Sequence, residues 1–175
     1  ADYELHYSKN SALISFMLTL SIRRSRWCSM AEERNLWAQL KRNTKPVVWT
    51  RIEATSGLGI PDLHGFFRRC FWVELKIIKN NKITFSAHQI AWINRHITLG
   101  APVFVLARDP RSKTLKLFSG SIVRSPHTVD RVPPLLSIPA RPKAVDWEQL
   151  LALLGSWMPG DSPLSIATNP IHLLH

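Results

Sequence analysis

Glu53, Asp62, Glu74 and Lys76 place three carboxylates and one ammonium group within 24 positions of a 175-residue chain. Asp62 follows Pro61 in Gly-Ile-Pro-Asp-Leu-His-Gly at 59–65, and Glu74 and Lys76 flank Leu75 in Trp-Val-Glu-Leu-Lys at 72–76. Two carboxylates held close together repel unless a cation sits between them. Mg2+ takes near-octahedral oxygen coordination from one or two carboxylates, waters and phosphate oxygens. A lysine beside such a site can orient or help deprotonate a water, or steady negative charge on a reacting phosphate. The pattern points to phosphodiester chemistry. Asp62 and Glu74 are the candidate metal ligands, the backbone carbonyl of Leu75 is a further oxygen donor, and Glu53 joins directly or through water. Mg2+ is the expected ion, with Mn2+ able to substitute.

The elements that must position these groups follow from periodicity and turn residues. Residues 30–43 read as a helix, with a Ser29–Glu32 capping box and a stripe of Leu36, Trp37 and Leu40. Residues 47–54 read as a strand, broken by Ser56, Gly57 and Gly59; a second strand begins at Asp62, and Arg68–Arg69 turns into a third over Phe71–Ile78. These three are expected to form an antiparallel meander. Alternation sends Val73, Leu75 and Ile77 to the core and leaves Glu74 and Lys76 on an open edge. Taken alone, Glu74 and Lys76 also fit a plain surface ion pair. Asp62 shifts the balance, because a hairpin brings its carboxylate beside Glu74. Gly57, Gly59 and Gly65 permit close backbone approach.

After the polar turn 79–82, Ser86 opens a helix that Gly100 and Pro102 end. Ser86-Ala-His-Gln89 is itself a capping box, which alone would explain Gln89. Val103–Ala107 reads as a strand buried on both faces, and Thr114–Phe118 as another. The five prolines of 124–143 predict an irregular loop, and Asp146 caps a last helix with Trp147, Leu150, Leu151 and Leu154 on its apolar side. The order is α-β-β-β-α-β-β-α, an α/β fold with a small mixed sheet flanked by helices on both faces.

Lys and Arg number 23 against 12 Asp and Glu, a net charge of +11. A balance this basic fits a polyanion partner, with nucleic acid the first choice. The two cysteines and seven histidines show no zinc spacing, and the cysteine usage fits a reducing intracellular compartment. Ser11–Ile22 is apolar but too short to span a bilayer, and Arg23, Arg24 and Arg26 lie on the wrong side of it for a secretory signal. Residues 1–29 are read as an extension, a leader or a non-native remnant, 30–158 as the main domain and 159–175 as a tail. Arg51, Arg68, Arg69, Lys79, Lys82 and Arg95 are candidate phosphate contacts. His88 is a surface residue or phosphate contact, and His64 shares the face of Asp62 with a supporting or DNA-contact role. Trp72 and Trp92 read as core or interface residues.

The stretch from Arg51 to Arg108 resembles the PD-(D/E)XK nuclease superfamily, and within it the small VRR-NUC and phage or archaeal Holliday junction resolvase-like members. The matching text is Arg-Ile-Glu at 51–53, Gly-x-Gly-Ile-Pro-Asp-Leu-His-Gly at 57–65, Trp-Val-Glu-Leu-Lys at 72–76, Ser-Ala-His-Gln-Ile-Ala-Trp at 86–92 and Gly-Ala-Pro-Val-Phe-Val-Leu at 100–106. The resemblance implies a restriction-endonuclease-like core and metal ligation by Asp62 and Glu74, with Glu53 as third acid. It also implies a catalytic Lys76 and a role for Gln89 at the site. The expected activity is Mg2+-dependent DNA cleavage, selective for branched or junction DNA, by a homodimer in the cytoplasm (a host cytoplasm for a phage protein). A site-specific restriction- or homing-type endonuclease and a non-catalytic basic DNA-binding protein are the alternatives.

Overall fold

The computed structural model describes residues 30–52, 58–125, 129–140 and 146–156. Glu53, Gly57, the Ser29 cap and the whole of the proposed extension and tail lie outside the described residues. The chain divides into two compact units, 1–35 and 36–175. Helix α1 covers 30–43; its start is the described part of the first unit, and its remainder begins the second.

The second unit is built on a six-stranded mixed sheet in the order β1-β2-β3-β4-β5-β6. Strands β1 (Val48–Arg51), β2 (Leu63–Phe67) and β3 (Arg69–Ile77) form the expected antiparallel meander. Helix α2 (Ala87–Thr98) then carries the chain to β4 (Val103–Asp109), which lies parallel to β3. Strands β5 (Thr114–Ser119) and β6 (Leu136–Pro139) complete the sheet antiparallel, and helix α3 (Trp147–Ser156) follows.

Strand β6 corrects the loop expected over 124–143. Leu136 and Ile138 are buried while Ser137 and Pro139 are exposed, so the period-2 pattern is present but only four residues long. Its prolines disguise it. A proline at the end of an edge strand removes no ladder bond the sheet needs, because its nitrogen side can face solvent.

Each face of the sheet has its own core. On one face Leu36 and Leu40 of α1 and Leu150, Leu153 and Leu154 of α3 pack over Val73, Leu75, Leu106 and Leu117. Asp146 caps α3 as expected, its Oδ1 accepting from the Gln149 amide at 2.9 Å. On the other face Ile93 of α2 packs with Val103 and Val123, and a neighbouring cluster holds Val105, Ala107 and Phe118. Gly65 serves the core on the α1 and α3 side: a Cβ there would stand 2.5 Å from the Phe71 ring and 2.9 Å from that of Trp49. Those two rings meet edge to face at 5.5 Å.

Candidate active site

Strand β2 ends its pairing with β3 at Leu63↔Val73. One step beyond, the β3 edge toward β2 has no strand partner, and Asp62 fills the gap. Its Oδ2 accepts from the Leu75 amide at 2.8 Å, while its own carbonyl accepts from the Ile52 amide at 2.8 Å. In an extended strand the N–H and C=O of one residue leave the same side. The Leu75 carbonyl therefore also points to the Asp62 side, where a metal ligand would need it.

Glu74 is fully buried on the opposite side chain face from Leu75, contrary to the open edge expected for it. The reason is tertiary: β3 is an interior strand, and the first turn of α2 lies over its end. Lys76 Nζ contacts Glu74 Oε1 at 2.8 Å, and Gln89 Nε2 donates to the same oxygen. Lys76 Nζ also donates to Gln89 Oε1 at 3.3 Å and lies 5.5 Å from the centre of the Phe85 ring. Glu74 Oε2 has no hydrogen-bond partner among the described residues.

Gln89 shows that its two readings are compatible. It closes the capping box of α2, with Ser86 Oγ accepting from the Gln89 amide and Gln89 Oε1 accepting from the Ser86 amide. The same side chain turns its amide nitrogen to Glu74. The cap thus fixes which end of the amide faces the acid. Glutamate caps this position as well as glutamine but cannot donate to a carboxylate. Gln89→Glu keeps the cap but sets a third carboxylate against Glu74, so it is expected to lower cleavage by on the order of 10- to 100-fold and to lower the melting temperature more at pH 8 than at pH 5, where Glu74 is protonated. Melting and single-turnover cleavage of the same preparation check it.

The loop carrying Asp62 is held against this helix by Gly59, which has φ +69°. A Cβ at Gly59 would stand 2.2 Å from the backbone carbonyl of His88 and 2.5 Å from the Gln89 nitrogen. Gly59→Ala must therefore push the loop and the helix apart. Cleavage is expected to fall about 10-fold or more, since a misplacement of about 1 Å can cost far more than that. A circular dichroism spectrum that stays native while the activity stays full would refute the contact's importance.

The electrostatics follow from burial. Burial raises the Asp62 pKa; the Leu75 amide and the charges of Lys76 and Arg51 oppose this without cancelling it. Burial, then the Asp62 charge, pushes Glu74 from 4.5 to about 7, against the pull of Lys76 and of the Asp62 backbone amide, which approaches the carboxylate without forming a well-aligned hydrogen bond to Oε2. Two carboxylates short of positive charge, one with a partnerless buried oxygen, suit a hard divalent cation. Among the described residues no three metal-ligating side chains cluster, so Asp62, Glu74 and the Leu75 carbonyl are the donors at hand.

The remaining candidates are scattered. Arg51 is exposed at the end of β1, where its charge acts on Asp62. His64 sits on β2 with its ring 4.8 Å from that of Trp72. Lys79 and Lys82 face each other across a turn whose Asn80 and Asn81 take φ 49° and 61°, just beyond the Glu74–Lys76 end of β3. His88 is exposed on the first turn of α2 and Arg95 on its last. Arg68 and Arg69 lie at the opposite end of β3, about 17 Å of strand from Glu74. Phe85, which lies beneath Lys76, went unread in the sequence. Its signal was the apolar residue before the Ser86 cap, the position that staples onto the first turn of a helix.

Fold and site together define an α/β protein with a buried glutamate beside a half-buried aspartate, a lysine and a glutamine at one end of a mixed sheet. No family model matches the chain, and none of the curated proteins does. Among solved structures the chain is similar to Hjc, a Holliday junction resolvase from the archaeal hyperthermophile Archaeoglobus fulgidus. The identity is 22% and the TM-score 0.40, over 53% of this chain and 76% of that one. Among the described residues no helix is long and apolar enough to cross a membrane.

Proposed function

We propose that this protein is a divalent-metal-dependent DNA endonuclease that cuts branched DNA. The observation that carries the reading is Glu74: a fully buried carboxylate with one oxygen held by Lys76 and Gln89 and the other partnerless beside Asp62. A structural ion pair needs no second acid and leaves no orphaned oxygen. Asp62, Glu74 and the Leu75 carbonyl would hold Mg2+, with Glu53 as a further acid. The bound ion would polarise the phosphate and acidify a water. Lys76, held against Glu74, would orient that water and offset the charge that builds on the phosphate. Gln89 keeps Glu74 and Lys76 in register, and the buried setting strengthens each contact.

The preference for branched DNA rests on the motif resemblance of residues 51–108, and symmetric cutting of a junction asks for a C2 homodimer. The test is cleavage of a four-way junction, a flap and a linear duplex with Mg2+. Equal cutting of all three defeats the branched-DNA reading, and cutting in EDTA defeats the metal. Asp62→Ala should abolish cleavage while junction binding persists.

A further inference from the structure

We propose that the open face of β1 and β2, walled on one side by α2, is a track for unpaired DNA bases that leads into the carboxylate site; this rests on the nuclease reading. The register places Val48, Phe66 and Cys70 in one row across β1, β2 and β3, and Thr50, His64 and Trp72 in the next. One step further along lie Asp62 and Glu74. Val48 is 67% and Phe66 50% exposed, so among the described residues this side of β1 and β2 is an uncovered sheet face.

Rings continue from that floor onto the helix. His64 lies 4.8 Å from Trp72, Trp72 lies 5.1 Å from Trp92, and His96 stacks on Trp92 at 3.4 Å. All four are half-buried, held in place yet open on part of their surface. From the Asp62 end to Phe67 the floor is about 17 Å long.

Away from Asp62 at its site end, the charge on this surface has one sign. Neither β1, β2 nor α2 carries an acidic residue, and the sole acid of β3 is the buried Glu74. Exposed Arg95 stands on α2 and part-buried Lys76 at the carboxylate end of the floor, whereas alternation sends Arg51 to the opposite face with Leu63 and Val73, and the Arg68 guanidinium lies over Phe67 of the opposite core. Aromatic faces combined with cations along a groove are what a single strand needs: phosphates meet the cations and bases stack on the rings. In a duplex the bases are already stacked on one another, so the rings favour unpaired nucleotides such as those at a branch point. A second copy of this chain fits less well. A two-fold contact sets the same patch against itself, and here that would oppose Arg95 with no acid on β1, β2 or α2 to meet it.

Fluorescence anisotropy of the full chain in EDTA tests the track, using a labelled single-stranded oligonucleotide and the duplex of equal length. Phe66→Ala and Trp92→Ala are each expected to weaken single-strand binding about 5- to 100-fold, the loss per stacked base, and duplex binding less than about twofold. Phe66 is half-exposed, so its variant carries the result alone if Trp92→Ala does not fold. Unchanged single-strand binding, or an equal loss on the duplex, overturns the proposal. So does a change from dimer to monomer in light scattering, which would make the face an interface between copies. A parallel Mg2+ cleavage assay of the unaltered protein keeps the two readings apart. Cleavage with unaffected binding in the variants removes the track alone; no cleavage with impaired binding removes the nuclease and leaves a single-strand binding surface.

Discussion

Replacing Glu74 by Gln is expected to abolish cleavage and, at pH 8 without metal, to make the protein more stable. The two effects have one cause. Glu74 is buried, and burial with the Asp62 charge raises its pKa from 4.5 to about 7. The folded protein therefore holds this proton over a pH range in which the unfolded chain has released it. Stability from this group is full below pH 4.5 and declines as pH rises toward 7, after which the loss is complete. That displacement corresponds to about 3 kcal/mol. Asp62 is displaced in the same direction.

Asp109 works the other way. Burial raises its pKa, but hydrogen bonds from Ser112, Lys116 and Arg111 outweigh it and leave the pKa below 3.8. Its contribution is lost only as pH falls below that value, outside the window of Glu74. Glutamine at 74 resembles the protonated acid, so Glu74→Gln should gain on the order of 1–3 kcal/mol at pH 8 and little at pH 5. Urea titrations at the two pH values check this. Mg2+ should raise the melting temperature of the unaltered protein at pH 8, EDTA should reverse the rise, and Glu74→Gln should show neither. A variant that melts lower than the parent at pH 8 would contradict the buried-acid account.

Lys76→Met should have the second-largest effect, and in stability the opposite sign. Methionine matches the length and packs on Phe85 but removes the ammonium that touches Glu74 and Gln89. Cleavage should fall by about 10²- to 10⁴-fold, the usual range for a group that handles a proton or its charge. Removing one partner of a buried pair strands the other. With the Glu74 pKa at about 7, protonation caps the cost at about 1.4 kcal/mol at pH 8 and leaves almost none at pH 5. In the Glu74→Gln background the lysine has no charge left to serve. Lys76→Met should then cost less than about 1 kcal/mol, and a double-mutant cycle reads the difference as coupling. Additive effects would mean that Lys76 acts on stability without Glu74.

Much of the arrangement was legible in the chain because strands report by alternation and turns by residue type. Alternation in 71–78 separated Val73 and Leu75 from Glu74 and Lys76. The hairpin rule brought Asp62 to the same end of the sheet, and Ser86 with Gln89 marked the start of α2. Strand β6 escaped because four residues among prolines carry too short a pattern to register. Arg68 and Arg69 are close to the acids in sequence, but β3 extends fully between them and carries them to its far end.

The chain by itself determined which groups could meet: local spacing and secondary structure place Asp62, Glu74, Lys76 and Gln89 at neighbouring ends of consecutive elements. Tertiary packing decided what state they meet in. The crossover lays α2 over the end of β3, turning a carboxylate expected at an open edge into one with no contact with water. That burial raises its pKa, aims Gln89 at it and makes Lys76 its counter-charge. Desolvation depends on everything packed around a group, and no periodicity within one strand records it.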